Sequence, residues 1–197
     1  MIYVIGDSHS RSFARNSDYK AIFIGPGKEN CFVSKKHAWA TLFNARIALR
    51  RLPEKSTVMF VLGEPDTRFY LGKGWTPWDS DSEDVVELVD QKIELSVSRY
   101  LKFLMLLKRE YSHRFLVYSV SPSERENQNI YVREMNAQLR NGLENIDVFM
   151  VDIENALLKD DMRVKIEYML DAVHLTTDVQ PLVKNVFDLN GYRYKAE

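Results

Sequence analysis

Met1-Ile-Tyr-Val-Ile-Gly-Asp-Ser-His-Ser10 opens the chain, and the fold follows from how this stretch is read. Ile2 to Ile5 form a continuous apolar run, as a strand covered on both faces of a parallel sheet must be. Gly6 stops the run and throws Asp7, Ser8 and His9 onto the carboxyl edge of that sheet, where open α/β folds bind their ligands. A serine hydroxyl there is a nucleophile only if a base takes its proton. The far end of the chain offers one in Asp171-Ala-Val-His174.

The remaining apolar runs repeat the pattern. Ala21 to Ile24, Val58 to Leu62, Phe115 to Val120 and Val148 to Val151 predict four more strands. Segments of helical period lie between them. From Lys35 to Leu52 the apolar positions Trp39, Leu42, Phe43, Ile47 and Leu49 recur near helical spacing, and Pro53 ends the run. Ser80-x-x-Glu83 is a capping-box pattern that opens the longest helix, with Val86, Val89, Ile93, Val97, Leu101 and Leu104 on one face. A further helix passes Tyr131, Met135 and Leu139 to a stop at Gly142, and a last one, capped by Thr177, carries Val179, Leu182, Val183, Val186 and Phe187. Strand and helix alternate, which predicts an α/β protein with a parallel sheet in a three-layer α/β/α sandwich. Ser10 to Asn16 predicts a short helix after Ser8, with Phe13 and Ala14 inward and the amides near Ser8 and His9 at its N-terminus, where negative charge is favoured.

Composition narrows the function classes. At 197 residues and 45% hydrophobic, the chain is expected to be one domain, residues 1–197, with a full core. Lys plus Arg number 27 against 28 Asp plus Glu, so the long-range field gives no reason to expect nucleic acid or an anionic membrane as partner. Cys31 is the single cysteine, which excludes an internal disulfide and fits a reducing compartment; it is read as a core thiol. The first strand begins at residue 2, with no room for a secretory signal, and the longest apolar segment, Leu101 to Leu107, falls far short of the roughly 20 residues of a membrane span. A soluble, cytoplasmic protein is expected. The oligomeric state is not legible in the sequence.

Gly6-Asp7-Ser8, Gly25, Gly63-Glu64-Pro65-Asp66 and Asp171-x-x-His174, in this order and at strand ends, resemble the four blocks of the SGNH or GDSL-type hydrolase superfamily. Gly6-Asp7-Ser8-His9-Ser10 and Gly63-Glu-Pro-Asp-Thr-Arg68 are further similar to a subgroup with a GDSHS start and a GEIDCR-like third block. The resemblance implies a flavodoxin-like five-stranded sheet of order 2-1-3-4-5, which periodicity alone does not choose. It also implies roles: Ser8 as nucleophile, His174 as general base, Asp171 as the carboxylate that orients it, and Gly25 as an oxyanion donor. Read from residues alone, Gly25-Pro-Gly27 is equally an oxyanion wall or a tight turn fixed by Pro26. In the third block most superfamily members carry an asparagine whose amide donates to the oxyanion; Pro65 stands in its place and cannot donate. Arg68, with five fixed donors, is the candidate replacement. Gly63, Glu64 and Asp66 accompany it as binding candidates, and the alternative is that Glu64, Asp66 and Arg68 form an ion-pair network shaping the loop.

Phe69 to Asp81 holds Tyr70, Trp75 and Trp78 in a long loop whose rings either stack on sugar faces or anchor the loop to the core. His37 is expected to be exposed, His113 structural, Ser121 and Ser123 turn residues, and Arg133-x-x-Asn136-x-x-Leu139 a packing motif. The expected function is a serine esterase that removes or transfers a short acyl group on a small-molecule or glycan ester, without metal or organic cofactor. The competing expectation is a catalytically impaired carbohydrate-binding protein on the same scaffold. A flavodoxin-like nucleotide domain is disfavoured, because no Gly-x-Gly-x-x-Gly or Walker pattern follows the first strand.

Overall fold

Strands that are apolar on both faces need cover on both, and the two covering layers come from different parts of the chain. The computed structural model describes residues 1–25, 32, 35–67, 83–124 and 126–191. Its strands are β1 (Ile2–Gly6), β2 (Tyr19–Phe23), β3 (Thr57–Val61), β4 (Arg114–Tyr118) and β5 (Phe149–Val151). They form one sheet in the order β2-β1-β3-β4-β5, with every neighbouring pair parallel. Side chains alternate between the faces. Ile5, Val58, Phe60, Phe115 and Val117 point to one face, under helices α1 (Lys35–Leu49), α2 (Glu83–Glu110) and α3 (Glu126–Glu144). Val4, Met59, Val61, Leu116 and Tyr118 point to the other. That face is covered by Phe13 of a 3-10 turn (Ser8–Phe13), Leu157 of a short helix α4 (Glu154–Leu157), and Val183 and Phe187 of α5 (Gln180–Leu189). The result is the expected α/β/α sandwich.

Several details depart from the sequence reading, each for a physical reason. β2 lies at the sheet edge and leaves Lys20, Ala21 and Phe23 exposed, so it is not covered on both faces. Helix α1 buries Leu42, Ala45, Ala48 and Leu49, while Trp39 and Phe43 are more than 60% exposed and Ile47 also faces outward. This helix has two apolar stripes, and the one rich in small residues lies against the core. Gly142 does not stop α3, which runs on to Glu144. It lets α3 approach α2, since a Cβ there would lie 2.3 Å from Leu101 Cδ1. Ala14 is exposed and Phe13 alone turns inward. The cap before the last helix is Thr176, whose side chain accepts from Asp178 N–H over a 3-10 turn (Thr177–Val179). His37 is half-buried. Ser80, Cys31, Pro26, Gly27, Arg68 and the Phe69 to Asp81 loop lie outside the described residues. Among the described residues no helix is long and apolar enough to cross a membrane.

Gly6 sits where β1 passes close to Val61 of β3. A Cβ at this position would lie 2.3 Å from the Val61 carbonyl oxygen, a backbone atom that cannot rotate away. At Gly25 the same added atom meets nothing within 4 Å among the described residues. Gly6→Ala is therefore expected to lower the unfolding free energy by roughly 1–3 kcal/mol in urea titration, as overpacking does. Gly25→Ala is expected to change it by less than about 0.5 kcal/mol.

Candidate active site

Gly6 pairs with Phe23 of β2 and with Val61 of β3 in parallel register. Ser8, Gly25 and Gly63, each two residues further along, therefore leave the sheet at one edge. Beyond Gly6 the chain folds into the 3-10 turn around Asp7, whose Oδ1 accepts from His9 N–H at 2.9 Å while its carbonyl accepts from Ser10 Oγ–H at 2.7 Å. Ser8 takes the first position of that turn, where a backbone N–H has no preceding turn to donate to. Its side chain is half-buried, and Asp7 and His9 on either side are buried. Of the three side chains expected at the edge, Ser8 is the one that stands toward solvent.

The opposite half of the site comes from the stretch before α5. Residues 169–175 close into a narrow loop through the antiparallel Met169–Leu175 bridge and a 2.7 Å bond from Leu170 N–H to the His174 carbonyl. Side-chain bonds tie this loop to the 3-10 turn. Ser12 Oγ–H donates to the Leu175 carbonyl at 2.9 Å, Gln180 Nε2–H to the Ser12 carbonyl at 2.7 Å, and a ring nitrogen of His9 lies 3.0 Å from the Val173 carbonyl. Joined in this way, His174 Nε2 lies 2.9 Å from Ser8 Oγ across 166 residues of sequence. Asp171 Oδ2 is 2.8 Å from His174 Nδ1. A carboxylate only accepts, so Nδ1 carries the proton and Nε2 is left to accept from the Ser8 hydroxyl. Partial burial pushes the Asp171 carboxyl up, but N–H bonds from Val173 and His174 and the adjacent imidazole outweigh it and hold the group at about 2.

The other sequence candidates line the same edge or its support. Gly63 adopts φ 111°, a conformation closed to side chains, and a Cβ there would also press on Val120 Cγ2 at 3.0 Å. The chain is helical over the described residues 64–67, with Asp66 and Thr67 N–H both bonded to the Gly63 carbonyl. Pro65 fits because the first turn of a helix has no use for its missing N–H. Glu64 and Asp66 are buried. Glu64 Oε2 lies 3.6 Å from His9 Nε2, and Asp66 Oδ1 accepts from Phe32 N–H at 2.9 Å. Gly25 is half-buried.

The sequence reading missed the polar supports. Asn136, read as packing, is fully buried, and its amide bonds both the N–H (2.7 Å) and the carbonyl (3.1 Å) of Val120, just past the end of β4. It also donates to Glu154 Oε2 at 2.7 Å, whose other oxygen takes Arg133 Nε–H at 3.2 Å. Leu139 alone of that motif packs in the core. Ser123 is held by Asn129, whose Oδ1 accepts from its N–H at 2.9 Å. His9 was visible only as a neighbour of Ser8; the Asp7-x-His9 spacing, which suits an Asp side chain bonding two residues ahead, was the available signal. Among the described residues no cluster of three His, Cys, Asp or Glu is disposed to hold a metal ion.

Solved structures resemble this one along almost its whole length. A GDSL-like lipase from Bacteroides thetaiotaomicron superposes with a TM-score of 0.66 at 12% identity, covering 96% of this chain and 86% of that one. The fold is that of the GDSL-type acylhydrolases. A member of the lipolytic G-D-S-L family from Veillonella parvula (TM-score 0.59, 14% identity, 95% and 96% covered) and an acetyl xylan esterase (0.60, 13%, 96% and 99%) share it. No protein-family model and no curated protein matches the sequence.

The Asp171 carboxyl sits below its ordinary 3.8, so the stability it contributes is present above about pH 4 and lost as pH falls toward 2. A carbon-detected NMR titration is expected to give its midpoint near 2. In His174→Ala, which removes the imidazole donor and its charge, the midpoint should move upward; an unmoved midpoint would show that the imidazole does not contribute.

Proposed function

We propose that the chain is a serine ester hydrolase of the SGNH type. The observation that carries this reading is the 2.9 Å contact between Ser8 Oγ and His174 Nε2, with Asp171 on the far side of the imidazole. Ser8 Oγ attacks the ester carbonyl as its proton passes to His174 Nε2, and Asp171 stabilises the imidazolium without taking its proton. The tetrahedral intermediate collapses, the leaving alkoxide takes the proton from His174, and the acyl group stays on Ser8. Water, deprotonated by His174, then releases the acid and restores the hydroxyl. The same acyl-enzyme passes its group to an alcohol acceptor if one displaces water. For the oxyanion we assign the amides of Ser8 and Gly25, with Arg68 supplying the donor that Pro65 lacks. Gly63, Glu64 and Asp66 are assigned to holding the wall of the site; the burial of both carboxylates supports this over direct substrate contact.

The acyl group we propose is short, and its carrier a carbohydrate. Tyr70, Trp75 and Trp78 are the residues that would stack on sugar faces, and an acetyl xylan esterase is among the proteins sharing the fold. We place the protein in the cytoplasm, acting on a soluble glycan ester or its precursor, with no nucleic acid or membrane partner.

Purified protein is expected to cleave aryl acetates and to be labelled by a fluorophosphonate at Ser8. Ser8→Ala and His174→Ala are expected to cut turnover by about 10⁴-fold or more, and Asp171→Asn by on the order of 10⁴-fold through the wrong tautomer. Glycan binding without labelling or turnover would instead establish a binding protein on this scaffold. Undiminished turnover in Ser8→Ala would rule out the nucleophile.

A further inference from the structure

His9 has a partner on each ring nitrogen. Nδ1 lies 2.8 Å from Asp7 Oδ1 and Nε2 lies 3.0 Å from the Val173 carbonyl oxygen. A carboxylate and a peptide carbonyl are both acceptors, so each contact requires a proton on the ring. A neutral imidazole carries one such proton and the imidazolium carries two. Charge accounting agrees. Asp7 is 4% exposed, its Oδ2 has no hydrogen-bond partner among the described residues, and its cationic partner among them is His9. A buried carboxylate with no opposite charge would be strongly disfavoured. The His9 ring also lies against that of His174, with centroids 4.9 Å apart.

We propose that His9 is a doubly protonated positioning residue for His174: Asp7 fixes its Nδ1–H, and its Nε2–H grips the Val173 carbonyl and so sets the catalytic loop against Ser8. The proposal rests on the reading of Ser8 and His174 as nucleophile and base. It adds a group that touches no substrate and acts through the peptide next to His174. That peptide is held from two sides, since His174 N–H donates to Asp171 Oδ1 at 2.9 Å while the Val173 carbonyl accepts from His9.

Loss of one proton breaks the grip. The charged acceptor, Asp7, makes the stronger bond and keeps the remaining proton, which leaves the Nε2 lone pair facing the Val173 carbonyl. The titratable groups that face His9 are Asp7 at the strand end, Glu64 from the turn after β3 at 3.6 Å, and His174 from the loop. Burial pulls His9 down, but the bond to Asp7 and the charges of Asp7 and Glu64 outweigh it and hold the group above 6.5. The grip is therefore complete below pH 6.5 and is lost as pH rises through the raised value.

The test uses the whole chain. Nitrogen NMR at pH 6 is expected to show both His9 ring nitrogens protonated, with the Nε2 proton slow to exchange. An unprotonated Nδ1 would put the proton on Asp7 and overturn the proposal. On an aryl acetate, His9→Phe is expected to lower kcat about 100-fold with KM little changed, the loss that follows from a misplaced base. His9→Gln, whose amide still donates to Val173 but cannot ionise, is expected to recover part of kcat and to lack the alkaline decline assigned to His9; it also serves if the Phe variant does not fold. Wild-type kcat in His9→Gln with the alkaline decline unchanged would overturn the proposal. The NMR readout needs no substrate, so a doubly protonated ring in a protein without ester turnover would overturn the esterase reading and support the grip.

Discussion

The seam between the 3-10 turn after β1 and the loop before α5 is the contact on which the site depends. Neither segment is held in place by the sheet ladder. The turn is rooted by Phe13, fully buried and packed edge-on against Tyr118, and the loop by α5, whose Val183 and Phe187 share the same cluster. Between these two roots run hydrogen bonds from His9, Ser12 and Gln180. Each such bond contributes only about 1 kcal/mol net, but together they convert two independently packed elements into one rigid edge. The 2.9 Å separation of Ser8 and His174 follows from that rigidity.

The division of labour among the polar residues follows from burial. Ser8 and His174 are half-buried, and Asp171 stands toward solvent while its carboxylate oxygens are taken up by three N–H groups. Asp7, His9, Glu64, Asn136 and Glu154 are all buried. A buried polar group must find partners or it destabilises the fold; Asn136 finds them in the strand-end backbone, Asp7 and His9 in each other and in the backbone of the turn and loop, and Glu154 in the side chains of Arg133 and Asn136. Asn136 is the clearest case, because one amide satisfies both backbone groups of Val120 and one oxygen of Glu154. The cost of burying such groups is offset by fixing loops that a purely apolar core would leave free to shift.

Much of the fold was legible because its determinants are local. The runs Ile2 to Ile5 and Val58 to Leu62 declare buried strands by composition alone, and the 3.6-residue spacing of Val89, Ile93 and Val97 declares a core-facing helix. Ser8, Asp171 and His174 were legible as pieces of ordered motifs, and the sheet that brings them near one another could be inferred from strand alternation and resemblance. The polar seam was not legible. His9 and Ser12 bond to backbone carbonyls of Val173 and Leu175, and a carbonyl leaves no mark in a sequence. The buried face of α1 was misread for another reason: Trp39 and Phe43 give the stronger apolar signal, but the tight space over the sheet suits Ala45 and Ala48. Gly142 was misread because a glycine that ends a helix and a glycine that lets two helices touch look alike in sequence.

The 166 positions that separate Ser8 from His174 have a consequence during synthesis. On the ribosome, the serine and its turn emerge long before His174, and β1 can pair with β2 but lacks its other neighbour until β3 follows. A nascent chain that stops short of α5 carries the Ser8 hydroxyl without His174 beside it, and has no α5 to cover Phe13 and its neighbours. The contact between Ser8 and His174 thus forms only once translation has passed α5 and the two segments have met.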